Sequence, residues 1–452
     1  MNAPFYPPKV RPPRYPERFP FVMLDVVRNP LSVWPAEVYE QPLVHRRGPL
    51  GVFTWVLAPH LIKTVLLDAQ DKFVKTPIEK RVLGPLLGNG IFTSDGADWK
   101  WQRQVVAPLF RHGELLACVP AMTAAAERTV ERWRERGAGP HDIEHDMTSA
   151  TFKIIADTML PGGDTFVANA IERAHADYLL PISWEIAYGM LELPRWLPHP
   201  KSWSMRRSER DLRAAVAALI SARRRTPGDR DDLFSRLMAA RHPETGEPMS
   251  DPQLIDNLLT FLAAGHATTA MALTWSLYLL AKAPEWQEQL AAEVREVAGD
   301  APIDATHIDR LPMTERVIKE AMRLYPPAPV VMRRATVDIP LGDMTLPKDS
   351  LVLVPIYALH RHKALWTDPD RFDPDRFTPE AEASRTRYTY MPFGAGSRIC
   401  IGMAFAMLEA KAVLATFVRA MRFSPVEGCD PEPMSRLTLR PAGGMRLRAS
   451  VR

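Results

Sequence analysis

The sequence predicts a mainly α-helical fold with small β-sheets, an α+β architecture arranged around one long buried helix. Three observations carry that expectation. Leu254 to Ala283 is apolar nearly all round, the pattern of a helix enclosed on every side rather than along one stripe. Several other runs repeat apolar residues at three- and four-residue intervals, which is helical spacing. Strand signals, by contrast, are short and scattered.

The elements follow in chain order. Met1 to Pro49 is rich in proline, which stiffens extended chain. Leu43-Val44-His45-Arg46 and Val52-Phe53-Thr54-Trp55-Val56 flank Gly48-Pro49 and read as a hairpin, with a short helix over Pro59 to Asp68. Thr76 to Gly90 holds Gly84, Pro85, Gly88 and Gly90 and reads as a loop. A helix over Asp98 to Phe110 puts Trp99 and Arg103, four apart, on one face. Gly113 to Arg136 and His145 to Leu160 read as long helices. Thr165 to Leu193 and His199 to Arg225 read as a helical pair around Leu193-Pro194-Arg195-Trp196-Leu197-Pro198, whose cluster Trp184, Tyr188, Met190, Trp196, Trp203 and Met205 fits ordinary packing. Beyond the long helix, Asp304 to Leu324 is helical, Leu351 to Ile356 a buried strand, and Glu427 to Arg452 paired strands turning at Cys429 to Pro433. Ser435 to Thr438 is the part of that segment expected at a pocket.

Composition narrows the function. With 452 residues, 46% hydrophobic and 24% charged, the chain has material for a large core. Lys+Arg 57 against Asp+Glu 53 gives a formal charge of +4, too balanced to argue for nucleic acid. Cys118, Cys400 and Cys429 make no paired framework, which fits a reducing, cytoplasmic setting. Phe21 to Val27 is apolar but short and interrupted by Asp25, so neither a signal peptide nor a membrane span is expected.

Chemistry concentrates near the C-terminus, in Met391-Pro392-Phe393-Gly394-Ala395-Gly396-Ser397-Arg398-Ile399-Cys400-Ile401-Gly402, ahead of an apolar helical pattern from Met403. Its glycines allow sharp turns and close approach to a large flat object. Cys400 stands at the mouth of a helix, where free amides favour a thiolate, and a thiolate is both nucleophile and metal ligand. Arg398 offers a fork for carboxylate or phosphate. Structural zinc needs further Cys or His at short spacing, and none is near. A thiol nucleophile needs a positioned His, which the sequence does not exclude. Haem iron with a single thiolate uses every feature of the loop.

Phe393-x-x-Gly396-x-Arg398-x-Cys400-x-Gly402 resembles the haem-binding signature of the cytochrome P-450 family at each fixed position. The resemblance spans most of the chain and implies one large domain over 1–452, β-rich to about residue 75 and helical beyond. It also implies the family's triangular-prism fold with a long helix crossing haem b, whose iron Cys400 ligates. Trp99, Arg103, Arg333 and Arg398 match its propionate ligands, and Ala264, Gly265, Phe393 and Gly402 line the cofactor. The loop at Thr76 to Gly90, the helical pair at Thr165 to Arg225, as a movable lid, and Pro329 to Met332 correspond to its substrate channel.

Within Ala263-Ala264-Gly265-His266-Ala267-Thr268-Thr269 the resemblance makes Thr268 a catalytic hydroxyl that manages protons, although a mid-helix threonine ordinarily bonds back to the preceding turn. The family commonly has an acid immediately before this threonine. Ala267 stands there, so a carboxylate relay at that position is impossible; His266 points about 200° from Thr268 around the helix. Glu320 and Arg323, taken alone a surface i,i+3 pair, match a buried family network completed by Arg376 rather than Arg371. His360 is a candidate for the haem edge. The implied activity is oxygen insertion into a lipophilic small molecule by a soluble, bacterial-type, monomeric monooxygenase. No flavin or iron–sulfur motif is present, so electrons would come from NAD(P)H through a separate ferredoxin and its reductase, docking on the Cys400 side. A peroxide-driven peroxygenase would carry an Arg-Pro pair where Thr268-Thr269 stands; a haem-thiolate ligand sensor is the non-enzymatic alternative.

Overall fold

The computed structural model describes residues 4–13, 21–48, 51–159, 174, 177–179, 181–225 and 233–452. Its axis is the helix Asp251–Lys282. Ser250 and Gln253 start it with a reciprocal capping box, each side chain satisfying the other's backbone N–H, and Pro252 occupies the first turn. Around it pack Ile143–Met159, Ser202–Arg225, Pro312–Leu324 and Met403–Ala420. Four neighbours explain the nearly all-round apolar pattern. Among the described residues this helix alone is, unbroken, long and apolar enough to cross a membrane, and 78% of its most apolar window is buried inside the protein.

Several expected boundaries move. Thr76 to Gly90 is not a loop: Pro77–Leu87 is a helix, because Thr76 and Glu79 form a capping box that outweighs Gly84 and Pro85. The helix expected over Gly113 to Arg136 breaks at Cys118 into His112–Leu116 and Val119–Arg136, with Pro120 starting the second piece. Asp98 to Phe110 tightens after Val106 into a final 3-10 turn. Of the helical pair, Ile182–Met190 and Ser202–Arg225 are helices, while residues 160–173 lie outside the described residues, as do 49–50 of the hairpin turn.

The N-terminal hairpin forms as expected, pairing Leu43–Gly48 with Gly51–Val56 with Gly48 opposite Gly51. It does not form a sheet alone. Leu351–Val354 runs parallel beside it, then Val331–Ala335 and Phe73–Val74 complete five strands. At the C-terminus Arg446–Val451 joins Met421–Pro425 to Pro140–Asp142, and Pro433–Arg436 turns into Thr438–Pro441 at Leu437 rather than at Cys429. Leu437 takes φ +73° to make that turn.

One buried network ties these layers to the cysteine loop. Arg323 donates from Nε to Glu320 Oε2 at 2.6 Å and from Nη2 to Oε1 at 2.7 Å, and neither side chain retains any exposure. Its remaining protons go to the carbonyls of His360 (2.9 Å), Pro369 (2.6 Å) and Arg371 (2.9 Å). Glu320 also accepts the Asp373 N–H at 2.8 Å, and Arg376 Nε stands 3.7 Å away. The pair is thus a hub and not a surface contact. Nor does His360 lie at a cofactor edge. Its Nε2 accepts the Met391 N–H at 2.9 Å, so Nδ1 donates to the Arg323 carbonyl at 3.2 Å. Burial and the adjacent Arg323 charge hold this imidazole neutral. Removing one partner of a buried charge pair strands the other, so Arg323→Leu is expected to lower unfolding free energy by about 3–5 kcal/mol. Denaturant titration of the purified protein measures this; an unchanged midpoint would contradict the hub.

Candidate active site

The cysteine loop is a series of tight turns. Gly394 N–H reaches the Met391 carbonyl at 3.0 Å, Ile399 N–H the Gly396 carbonyl at 3.2 Å, and Cys400 N–H returns to the Phe393 carbonyl at 2.9 Å. Gly394 and Gly396 hold φ near +70°, which disfavours a side chain. The close approach at Gly396 is to protein rather than to a flat ligand: a Cβ there would overlap the Leu66 carbonyl oxygen. At Gly402 a Cβ would sit 3.8 Å from the Phe110 ring and 4.0 Å from Cys400 Sγ, so this glycine leaves the flank of the sulfur thin.

Cys400 is solvent-accessible although it lies deep in the molecule, which places it on the wall of an internal opening. Burial pushes its thiol upward, against the Gly402 N–H and the Arg103 guanidinium, which favour the anion. Burial therefore outweighs the helix-mouth effect expected from sequence. An anionic sulfur here needs a cation beside it, and a metal ion bound to the sulfur is one.

The central helix has an opening of its own. From Asp256 to Ala281 every residue is buried except Ala263, Ala264, Gly265 and Thr268, and of these Ala264 is the most exposed. An exposed alanine midway along an enclosed helix marks a space. Thr268 donates its hydroxyl proton back to the Ala264 carbonyl at 2.7 Å, leaving its oxygen free to accept. Gly265 serves the other side: a Cβ would lie 2.6 Å from Ile155 Cδ1, so its missing side chain admits the helix Ile143–Met159. The Phe261 ring packs 5.9 Å from that of Phe110, which joins this helix to Gly402. His266 turns away, buried against Phe152, with Nδ1 on the Leu262 carbonyl at 2.7 Å and its pKa lowered by burial to about 4.

Cations gather at the edge. The Arg398 guanidinium lies 3.9 Å over the Trp99 ring and donates to the Ser94 carbonyl (2.9 Å) and Asp95 Oδ1 (3.1 Å), so it is a braced fork rather than a free one. Arg103 donates to the Ile399 carbonyl at 2.7 Å and Arg333 to the Met332 carbonyl at 2.7 Å. Lys75, which no sequence pattern marks, is buried beside them. It lies 3.9 Å from the Phe92 ring centroid and 3.9 Å from Glu79, and burial with Arg333 and Arg398 lowers it to about 8. Arg333 and Arg398 repel Lys75, Arg333 and Arg103 repel Arg398, and Asp95 and Glu79 are the acids that offset them. Such a cation excess suits a flat ligand carrying two carboxylates, and the accessible sulfur suits its metal. The residues present fit haem.

The two turn glycines separate experimentally. Gly396→Ala combines backbone strain with overlap of Leu66 and is expected to cost at least about 2 kcal/mol, whereas Gly394→Ala, with open space around it, should cost about 1 kcal/mol. Equal unfolding midpoints for the two variants would contradict this account of the loop.

A family model for cytochrome P-450 matches residues 37–447. Among curated proteins, cyclooctatin synthase of Streptomyces melanosporofaciens is 36% identical over 94% of this chain and 92% of that protein. Cyclooctat-9-en-7-ol 5-monooxygenase of the same organism is 32% identical over 85% of this chain and 82% of its own length. The crystal structure of the cytochrome P-450DA haem domain superposes with a TM-score of 0.83 at 26% identity, covering 100% of this chain and 99% of that one. With a family match across nearly its whole length and an accessible cysteine where the cofactor's axial ligand belongs, this chain belongs to the cytochrome P-450 family of haem-thiolate monooxygenases.

Proposed function

We propose that the protein inserts one oxygen atom from dioxygen into a lipophilic small molecule, by hydroxylation or epoxidation, using electrons from NAD(P)H through a separate ferredoxin and reductase. The observation that carries this reading is the occurrence of an accessible Cys400 together with uncovered positions Ala263, Ala264, Gly265 and Thr268 on an otherwise buried helix. One unit over 1–452, acting in the cytoplasm, is part of the proposal; a main apolar cluster with members from Val10 to Ala449 and three free cysteines support it.

The haem contributes oxygen activation, and thiolate donation favours cleavage of the O–O bond. The chain supplies the rest. Cys400 is the ligand, with Gly402 and Phe393 shaping its surroundings. Arg103, Arg333 and Arg398, the last braced on Trp99, hold the carboxylates, and Lys75 joins them. Ala264 presents no more than a methyl group, which keeps the space open to an apolar substrate. Thr268 holds a proton-carrying water through the acceptor capacity that its bond to Ala264 leaves.

For the substrate we favour a cyclic, sparsely oxygenated hydrocarbon of terpenoid type. Support comes from the two Streptomyces relatives, one named for an alkenol substrate, and from a cyanobacterial member solved with retinoic acid bound (TM-score 0.79, 25% identity). For the electron donor, exposed Lys100 and Arg111 flank in sequence the stretch whose Arg103 bonds the cysteine loop, and Met403, just past that loop, is exposed as well. Surface cations and an apolar contact near the cysteine loop would suit an acidic carrier.

Two outcomes are expected. Thr268→Ala should cut product formed per NAD(P)H by about tenfold while peroxide release rises; equal coupling in both proteins would contradict the role given to Thr268. In a spin-state titration of the haem-loaded protein, cyclooctat-9-en-7-ol and comparable terpenoid alcohols should shift the Soret band and palmitate should not. A shift from palmitate alone would overturn the substrate class.

A further inference from the structure

The N-terminal segment from Phe5 to Val10 has no secondary structure of its own, and most of its residues are tied to partners hundreds of positions away. The Phe5 carbonyl accepts the Phe372 N–H at 3.1 Å, and the Tyr6 hydroxyl donates to Asp368 Oδ2 at 2.9 Å. The Pro8 carbonyl accepts the Tyr325 hydroxyl at 2.7 Å, Lys9 pairs with Asp370, and the Val10 N–H donates to the Tyr357 hydroxyl at 2.9 Å. Phe5 also packs against Tyr278, ring centroids 6.5 Å apart, and Val10 is buried in the main core. Tyr325 and Tyr357 are fully buried, so their rings belong to the interior and their hydroxyls reach outward to the segment.

The loop over residues 367–373 is thereby gripped from two sides. On one, the carbonyls of Pro369 and Arg371 accept from Arg323 at 2.6 and 2.9 Å, and the Asp373 N–H donates to Glu320 at 2.8 Å. On the other, the Asp368 and Asp370 carboxylates and the Phe372 N–H meet the segment. Consecutive residues divide between the charge pair and the segment. Arg361 closes the arrangement, with its guanidinium 4.1 Å over the Tyr357 ring and Nε 3.6 Å from Asp370 Oδ1. Asp368 holds φ +47°, a conformation that a residue with a side chain keeps where its surroundings fix it. Water could satisfy the same outward groups, so what the segment adds is a fixed position rather than a bond.

We infer that the segment from Phe5 to Val10 is a positioning strap for the cysteine ligand, clamping the loop over residues 367–373 against Arg323 and so fixing where the sulfur stands. The route inward is continuous. His360 bonds the Arg323 carbonyl at 3.2 Å and the Met391 N–H at 2.9 Å, and from Met391 the turns of the cysteine loop lead to Cys400. Tyr325 gives a second entry, because its N–H closes the last turn of the helix that carries Glu320 and Arg323, on the Ala321 carbonyl at 2.7 Å. The strap lies ahead of residue 37, where the match to the family model begins. Its residues act through the loop and the hub, and the inference rests on Cys400 as the haem ligand.

The test is hydrogen–deuterium exchange of the haem-loaded full chain, read beside the Soret band of its reduced carbon monoxide complex. Tyr325→Phe combined with Tyr357→Phe keeps both rings and withdraws the hydroxyls from the strap. Lys9→Glu reverses one exposed charge against Asp370 and leaves the core untouched. Exchange at the Gly394, Ile399 and Cys400 amides, which close the turns of the cysteine loop, is expected to quicken about tenfold in the tyrosine pair and about threefold in Lys9→Glu. The amides of Arg446–Val451 should keep their wild-type rates, and the red-shifted band of the tyrosine pair should fade about tenfold faster in dilute urea. Wild-type exchange at the three loop amides in the tyrosine pair, or a rise there equalled in Arg446–Val451, would overturn the strap. Should the tyrosine pair not retain haem, Lys9→Glu decides by the same two criteria. A wild-type complex with no red-shifted band would instead overturn the ligand assignment.

Discussion

Everything at the site depends on where one loop is held, and that position is set by a charge pair with no access to water. Glu320 and Arg323 satisfy each other and four backbone groups. Desolvating two ions is unfavourable unless nearly every donor and acceptor is matched, so such a hub tolerates little displacement. His360 transmits the constraint: one ring nitrogen bonds the Arg323 carbonyl, the other the Met391 N–H at the head of the cysteine loop. From Met391 to Cys400 the chain is then determined by its own turns and by Gly396 against Leu66. Sulfur position is thereby coupled to the hydrophobic core rather than to a surface loop.

The central helix obeys a different logic. A helix enclosed by its neighbours gains stability from every apolar side chain, yet between Ala263 and Thr269 it holds, apart from His266, small residues and hydroxyls. The local loss of packing leaves room for a cofactor face, a substrate and water. Departures from the best-packed sequence cluster on this one stretch and what touches it, the distribution expected where function competes with packing.

Legibility in the sequence followed the range of the interaction. The central helix, the hairpin and the cysteine loop were readable because each is written in adjacent residues as a periodicity, a turn or a spacing. Pro77–Leu87 was misread as a loop because interior Gly and Pro are conspicuous, whereas its capping box is a two-residue signal at one end. His360 was misplaced because its partners lie 37 and 31 residues away. Gly265 and Gly396 looked like room for a ligand, and their neighbours proved to be Ile155 and Leu66. Lys75 left no mark, since a single Lys reads as solvent-facing until the fold encloses it.

The central claim is that Cys400 sulfur, as thiolate, holds the haem iron. The most direct measurement is the absorption spectrum of the purified, haem-loaded protein after reduction under carbon monoxide, alongside Cys400→His. The account predicts a strongly red-shifted Soret band for the wild type and its loss in the variant. A wild-type band at the position given by an imidazole ligand, or a red-shifted band that survives in Cys400→His, would contradict it.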